Sequence, residues 1–143
     1  VLTEAMLNLK VKDFRSSPVV VPDHMTVYDA IIYMFSEDVG TLFVIDRDEI
    51  LQGVLSRKDL LRSSIGSQEL NKLPVHMIMT RMPNIAYCTS TESLVEAAKK
   101  LIDREIDSMP VVEETEQGIK VVGRLTKTNI TRAFISLAET HDL

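Results

Sequence analysis

Residues 53–59 read Gly-Val-Leu-Ser-Arg-Lys-Asp, and residues 123–129 read Gly-Arg-Leu-Thr-Lys-Thr-Asn. In both stretches a glycine and a leucine lead to a hydroxyl residue, and a carboxylate or an amide follows three positions later. This spacing is typical of a strand that passes directly into a helix, because the hydroxyl side chain caps free N–H groups of the first helical turn. The chain is therefore predicted to contain two copies of one structural unit.

The sequence upstream of each motif repeats in the same way. Thr26 and Ser93 each begin an apolar helical pattern with a carboxylate three residues later, which indicates two more capped helices. Short apolar runs at 41–46 and 108–113 follow, and each leads through a turn into a return strand. The stretch from the end of the apolar run to the motif glycine is longer in the second copy, which places a three-residue insertion in its hairpin.

Each copy therefore predicts the order strand, helix, strand, strand, helix, in an α+β fold. Extended residues 18–21 and 84–88 open the copies, and the closing helices are predicted at 57–63 and 127–138. A sheet with helices on one face needs a second layer, so we expect the two pseudo-twofold copies to pack through their sheets. The predicted boundaries are repeat 1 at residues 8–64, a connector at 65–74 and repeat 2 at 75–138.

Composition limits the classes of function. The 143-residue chain has a net charge of −5 and no cluster of basic and aromatic residues, so it is a poor candidate for binding nucleic acid by itself. No apolar run approaches the roughly 18 residues of a membrane span. One cysteine excludes an internal disulfide framework and favours a cytoplasmic setting. Since the first residue is Val rather than Met, we expect a fragment of a longer protein.

The sequence indicates no catalytic residues and no metal ligands. His24, His76 and His141 are too scattered to predict a metal site or a nucleophile with its base. Cys88 aligns with Val21 of the first copy, so a small core residue is predicted there. We therefore expect a protein that is not an enzyme.

The twofold order and the two motif endings resemble the tandem CBS-domain pair, also called the Bateman module, over about residues 11–134. The second copy also has the Ser-Met-Pro-Val-Val strand, residues 108–112, that is typical of this family. Residues 53–59 fit the closing motif of the family fully. The second motif departs from it, with Arg124 where an aliphatic residue is usual and Asn129 in place of the common Asp.

More narrowly, Val-Lys-Asp-Phe at 11–14 and Met-Ile-Met-Thr at 77–80 resemble the regulatory half of the Bacillus-type catabolite control repressors of gluconeogenic genes. In those repressors a winged-helix DNA-binding domain precedes the CBS pair. The resemblance implies a module that senses an adenine nucleotide, ADP or ATP, in the cleft between its copies. Members of the family variously bind AMP, ADP, ATP, dinucleoside polyphosphates or S-adenosylmethionine, and the pocket residues of this sequence do not choose among them. It also implies a homodimer formed through the CBS helices, contact with DNA only through a domain outside this chain, and no membrane association.

Two alternatives to the repressor remain open. The chain is also compatible with the allosteric CBS region of a metabolic enzyme, and with a dimerisation module that binds no ligand. The sequence that flanks these residues distinguishes the first alternative, and a nucleotide titration distinguishes the second.

Ser56 and Asp59 have two interpretations. From the residues alone, a reciprocal helix cap is favoured. The same geometry offers backbone N–H groups to phosphate and a carboxylate to the two hydroxyls of a ribose. The resemblance implies this second role, because family members bind nucleotide ribose on this Asp. Thr126 and Asn129 are the equivalents in the second copy, where weaker ribose binding is expected since an amide accepts only through its carbonyl oxygen.

The remaining ligand candidates follow from the resemblance, which implies that adenine contacts the strand opening each copy and the backbone at the start of the next strand. Core packing remains an equal alternative for Val19 and Ile85. The candidates in contact with adenine are Pro18, Val19, Gly40, Thr41, Leu42, Asn84, Ile85, Ser108 and Met109. Arg57 and Lys127, which correspond between the copies, are the first candidates for phosphate ligands, and Arg81 is a further one.

Overall fold

The computed structural model describes residues 2–66 and 69–141 of the chain. The described residues form two small sheets with flanking helices, which confirms the predicted α+β class. The helices are α1 (Leu2–Leu7), α2 (Val27–Glu37), α3 (Arg57–Ile65), α4 (Leu94–Arg104) and α5 (Lys127–His141). The strands are β1 (Val20–Pro22), β2 (Thr41–Ile45), β3 (Leu51–Ser56), β4 (Thr80–Arg81), β5 (Cys88–Thr89), β6 (Ser108–Thr115) and β7 (Gly118–Thr126).

The first sheet has the strand order β1-β2-β3-β4. β1 and β2 are parallel and are joined through α2, whereas the hairpin strands β2 and β3 are antiparallel, as the connection lengths require. Thr26 caps α2, since its Oγ1 accepts a hydrogen bond of 3.1 Å from the N–H of Asp29. β4 was not predicted. Its residues lie in the part of the chain that the repeat pattern assigns to the second copy, but it pairs with β3 of the first copy.

The second sheet has the order β5-β6-β7, and its opening strand is shorter than predicted. In the first sheet the N–H of Phe43 donates to the carbonyl of Val19. Pro110 occupies the position of Phe43 in the second repeat and has no N–H to donate. Parallel pairing therefore begins at Cys88, and the predicted strand at 84–88 is observed only from its last residue.

Contacts divide the described chain into two compact units that do not follow the order of the sequence. The first unit contains the described residues of Val19–Ile85 and the residues Glu114–Val121. The second unit contains the described residues of Val1–Pro18, Ala86–Glu113 and Val122–Leu143. The segment ahead of the first repeat thus belongs to the unit of the second repeat. The repeat boundaries drawn along the sequence remain a prediction.

Two equivalent 3₁₀ helices explain this division. Val11–Asp13 places Val11 in the core of the second unit, where its N–H donates to the carbonyl of Glu92 over 3.0 Å. Val75–Met77 places Val75 in the core of the first unit, where its N–H donates to the carbonyl of Met25 over 2.8 Å. We call residues 10–18 and 74–81 the lead-in segments. Residues 10–18 come just before the first repeat but complete the core of the second, and residues 74–81 come just before the second repeat but complete the core of the first.

Helix α1 was not predicted, and it contacts α4 and α5 in the second unit. Met6 and Leu9 line a small apolar cavity of about 80 Å³ together with residues of α4 and α5. Six residues are too few for a helical pattern to be distinct in the sequence, so the tertiary contacts with α4 and α5 stabilise this helix. Within the ranges 2–66 and 69–141, no helix combines the length and the hydrophobicity needed to cross a membrane.

Candidate functional site

The first motif lies where β3 ends and α3 begins. The Oγ of Ser56 accepts a hydrogen bond of 3.3 Å from the N–H of Asp59. The Oδ2 of Asp59 accepts two, from the N–H of Ser56 at 2.9 Å and from its hydroxyl at 3.1 Å. The reciprocal cap that the residues predict is therefore confirmed. No hydrogen bond from the described residues reaches Oδ1, so one carboxylate oxygen of this partly buried side chain remains an acceptor.

The backbone places four predicted ligand residues beside this motif. Thr41 pairs with Ser56 across β2 and β3, and Leu42 is the next residue of the same strand. Gly40 accepts a hydrogen bond of 3.2 Å from the N–H of Arg57, and Val19 lies at the same end of the sheet, next to β2. The side chain of Leu42 is fully buried in the core, so only its backbone is available to a ligand. Pro18, the neighbour of Val19 in the sequence, belongs to the second unit.

Arg57 is a positively charged residue within the first motif. Its guanidinium lies over Gly40, where a Cβ would be 3.8 Å from both Cζ and Nε. The side chain is exposed and forms no ion pair with a carboxylate of residues 2–66 or 69–141. Because Gly40 contributes no side chain and no opposite charge, the guanidinium is available to an anionic ligand.

The second motif has the same backbone arrangement but no open acceptor. Thr126 Oγ1 accepts from the N–H of Asn129 at 3.0 Å, and Asn129 Oδ1 accepts from the N–H of Thr126 at 2.8 Å. The Nδ2 of Asn129 donates to the hydroxyl of Ser16 over 2.9 Å. Asn129 is 5% exposed, so its amide is both buried and engaged.

Lys127 is the equivalent of Arg57, and its charge has a partner. Its Nζ lies 3.2 Å from Oδ1 of Asp107, and its N–H donates to the carbonyl of the same residue. Asp107 stands at the position that Gly40 has in the first repeat. Both side chains are exposed, so water and salt weaken the pair, but its negative member still lowers the local positive charge.

The structure divides the other second-copy candidates between the two units. Arg81, Asn84 and Ile85 lie in the first unit, whereas Ser108 and Met109 lie in the second. Arg81 donates from Nη2 to the carbonyl of His76 over 2.6 Å, and β4 pairs it with β3 of the first repeat. Asn84 is exposed and Ile85 is buried, while the side chain of Met109 belongs to the second core. Arg81 is therefore part of the first unit, because the lead-in segments are exchanged.

Ser16 was not among the predicted site residues. The signal that would have identified it is a further repeat in the sequence, in which Val11 and Ser16 correspond to Val75 and Thr80. The spacing from Val11 to Val75 is shorter than the spacing from Thr26 to Ser93, so a search at the period of the helices misses it.

The one cysteine and the potential metal ligands of the described residues complete the list of reactive side chains. Cys88 is fully buried, as predicted for a core residue. Burial, and then the nearby carboxylate of Glu92, raise the pKa of its thiol to about 12, so a reactive thiolate does not form near neutral pH. No group of three or more His, Cys, Asp or Glu side chains within 2–66 and 69–141 is arranged to hold a metal ion.

Comparison with known proteins agrees with this architecture. The sequence model of the family described as CBS domain matches residues 11–66 and again residues 75–136. The chain therefore belongs to the CBS domain family and carries two of these domains in tandem.

Among individual proteins, the chain is similar to the transcriptional repressor CcpN of Bacillus subtilis (strain 168). The two are 56% identical over 138 residues, which cover 96% of this chain and 65% of the repressor. This chain thus spans somewhat less than two thirds of the length of that relative.

Two solved structures have the same fold and hold adenosine compounds. The crystal structure of CBSX2 in complex with AMP is 29% identical, with a TM-score of 0.77 over 91% of this chain and 98% of that one. The CBS domain pair of protein MJ0100 is in complex with 5′-methylthioadenosine and S-adenosyl-L-methionine. It is 25% identical, with a TM-score of 0.74 over 90% of this chain and 97% of that one.

Proposed function

We propose that this chain is the regulatory module of a transcriptional repressor and that it binds an adenine nucleotide, ADP or ATP, at the first repeat. The observation that carries the proposal is the open Oδ1 of Asp59 at the junction of β3 and α3. A ribose offers two adjacent hydroxyl donors, and a carboxylate oxygen held in place by its own cap is a suitable acceptor for them. The adenosine compounds in two relatives of this fold support the choice of ligand class.

The surroundings of Asp59 suit the other parts of a nucleotide. The backbone of Val19, Gly40 and Thr41 lies at the same sheet end beside apolar side chains, and compact sites bind a flat base with apolar walls and a few backbone hydrogen bonds. The exposed guanidinium of Arg57 supplies a donor for phosphate oxygens. In the second repeat the amide of Asn129 is already engaged, so we expect ribose to bind there more weakly.

The similarity to a transcriptional repressor supports the regulatory role. A nucleotide that binds one conformation of the module more tightly shifts the population toward it, by no more than the difference in affinity. A DNA-binding domain outside this chain would convert that shift into binding or release of DNA. We propose a cytoplasmic repressor of genes of gluconeogenesis or central carbon metabolism, without catalytic activity of its own.

The exposed helix surface of the first repeat supports a homodimer. Phe35 is 89% exposed on α2, and Leu61 and Ile65 on α3 are 64% and 86% exposed. An apolar groove of about 610 Å³ runs between these two helices. Packing against an identical surface related by a twofold axis would remove these side chains from water. Analytical ultracentrifugation tests this: Phe35→Ser is expected to weaken the dimer, and an unchanged sedimentation profile would contradict the assignment of this surface.

Calorimetric titration with AMP, ADP, ATP and S-adenosyl-L-methionine tests the nucleotide site. Asp59→Asn keeps an oxygen acceptor for the N–H of Ser56, as Asn129 does for Thr126, but it removes the charge and one acceptor. We expect its affinity to fall about tenfold or more, because a charged hydrogen bond contributes about 1.5–3 kcal/mol.

Asp29→Asn is the matched control, because Asp29 occupies the same position in the first turn of a capped helix of the same repeat. It should bind as the wild type does. Equal affinity of Asp59→Asn and wild type would show that the ribose site is assigned wrongly. Flat titrations with all four compounds would favour a dimerisation module that binds no nucleotide.

A further inference from the structure

Helix α1 covers part of the surface that α4 and α5 form in the second repeat. Met6 of this helix and Leu9, which follows it, are partly buried there and contribute to an entirely apolar cavity against the two longer helices. In the first repeat, residues 69–73 precede their lead-in segment as α1 precedes the other, and they form turns but no helix. The helix surface of the first repeat therefore has no equivalent of α1 among the described residues.

The surface beneath α1 corresponds to the apolar groove between α2 and α3. Three residues that line the cavity beneath α1 have repeat equivalents that line this groove. The pairs are Ala98 with Ile31, Ile130 with Leu60, and Phe134 with Ser64. An occupant of the groove in the first repeat would therefore take the place that α1 takes in the second.

Exposed apolar side chains occur on the helices of both repeats. Phe35 and Ile65 are exposed in the first repeat, and their equivalents Ile102 and Ile135 are exposed in the second. A general difference in polarity thus does not distinguish the two helix surfaces. The presence of α1 on one of them does.

We propose that α1 keeps the helix surface of the second repeat out of the homodimer, so that two copies pack only through α2 and α3 of their first repeats. This inference rests on the homodimer proposed above and specifies its arrangement. The groove suits an identical copy, because the exposed side chains of Phe35 and Leu61 stand beside an apolar hollow of the same surface. Its charged residues, Asp38 and Arg57, have opposite signs, so two identical surfaces bring no net charge repulsion.

Crosslinking of cysteine variants of the 143-residue chain tests the arrangement. Leu61→Cys on α3 and Thr131→Cys on α5 are a matched pair, since the two exposed residues are repeat equivalents. The native Cys88 is fully buried and is not expected to react. A short bismaleimide should join two Leu61→Cys chains. It should join neither two Thr131→Cys chains nor the two variants to each other after they are mixed and exchange subunits.

A control reaction and a second pair make this pattern independent of one position. A monofunctional maleimide should label Leu61→Cys and Thr131→Cys equally, so a missing crosslink reports distance and not reactivity. Ile65→Cys and Ile135→Cys, also exposed repeat equivalents, should repeat the result.

Charge substitutions on α1 test the role of this helix. Met6→Glu places a carboxylate against the apolar surface of α4 and α5, and a six-residue helix is too short to be stable without those contacts. Crosslinks through Thr131→Cys should therefore appear when Met6→Glu is added. Leu7→Glu is the matched control, because Leu7 is exposed on the same helix, and it should leave the pattern unchanged. Circular dichroism establishes that both variants remain folded.

The possible outcomes separate this inference from the homodimer itself. Crosslinks through Leu61→Cys alone, extended to Thr131→Cys by Met6→Glu, support the proposal. Crosslinks through Thr131→Cys in a chain with unaltered α1 overturn it but leave the homodimer standing. An unchanged pattern in folded Met6→Glu overturns the role of α1. A monomer in ultracentrifugation without crosslinks contradicts the homodimer, and this inference with it.

Discussion

The two motifs at the strand-to-helix junctions have the same backbone geometry and opposite hydrogen-bonding character. The cap distances from N–H to hydroxyl oxygen are 3.3 Å at Ser56 and 3.0 Å at Thr126. Asp59 leaves one carboxylate oxygen open as an acceptor, whereas the buried amide of Asn129 has both its ends engaged. The two motifs differ here by one atom, because an amide nitrogen in Asn129 replaces the second carboxylate oxygen of Asp59. This single replacement removes the free hydrogen-bond acceptor from the second motif.

The lead-in segments differ in the same respect. Ser16 accepts a hydrogen bond from Asn129, which is far away in the sequence. Thr80 is its equivalent in the first unit, and no hydrogen bond joins its side chain to Asp59 within the described chain. Backbone pairing joins each motif to its lead-in segment, but only the second motif has a side-chain hydrogen bond from its cap to that segment. This difference is the basis of the three predictions that follow.

The largest expected effect comes from adding a methyl group at the motif glycines. At Gly53 a Cβ would overlap Sδ of Met79 and lie 2.9 Å from the backbone oxygen of Thr80. Since backbone has to move, Gly53→Ala should lower the free energy of unfolding by about 2–3 kcal/mol. At Gly123 the closest atoms belong to the flexible side chain of Arg15, so Gly123→Ala should cost about 1 kcal/mol. Urea denaturation measures the free energy of unfolding of both variants. Equal losses in Gly53→Ala and Gly123→Ala would contradict the difference in packing between the two motif glycines.

The second prediction converts one motif into the other. Asn129→Asp supplies a carboxylate where the buried amide now donates to Ser16, and the hydroxyl of Ser16 can donate to that carboxylate instead. Because the second motif then has the acceptor that Asp59 provides in the first, we expect the affinity of the second repeat for an adenine nucleotide to rise about tenfold, or about 1.4 kcal/mol. The calorimetric titration described above measures this change. Asp59→Asn should leave the second site unaltered, and an unchanged affinity in Asn129→Asp would show that the missing carboxylate is not what distinguishes the two motifs.

The smallest effect concerns the lead-in segments. Ser16→Ala removes the acceptor of a buried amide N–H, so the free energy of unfolding should fall by about 1 kcal/mol. Thr80→Ala removes no comparable hydrogen bond, and we expect a change within about 0.5 kcal/mol. Thermal denaturation of the two variants side by side provides the measurement. A larger cost for Thr80→Ala would mean that the side chain of Thr80, and not only its backbone pairing, stabilises the first motif.

Much of the fold could be predicted because the signals are local. The caps at Thr26, Ser56, Ser93 and Thr126 each join residues three apart, and all four are observed where the spacing predicts them. The predictions were wrong where a strand depends on residues that are far away in the sequence. β4 exists because residues 80–81 meet β3, and the opening strand of the second sheet is short because its partner residue is a proline.

The sequence by itself determined the duplication, the α+β class and the positions of the two strand-to-helix motifs, because hydrophobic period and helix caps act over a few residues. It did not determine which repeat each lead-in segment completes. Val11 and Val75 are buried by residues far along the chain, and Ser16 is distant in the sequence from Arg124 and Asn129, with which it forms hydrogen bonds. Only tertiary structure brings such groups together, since the free energy of burial depends on spatial neighbours and not on sequence neighbours.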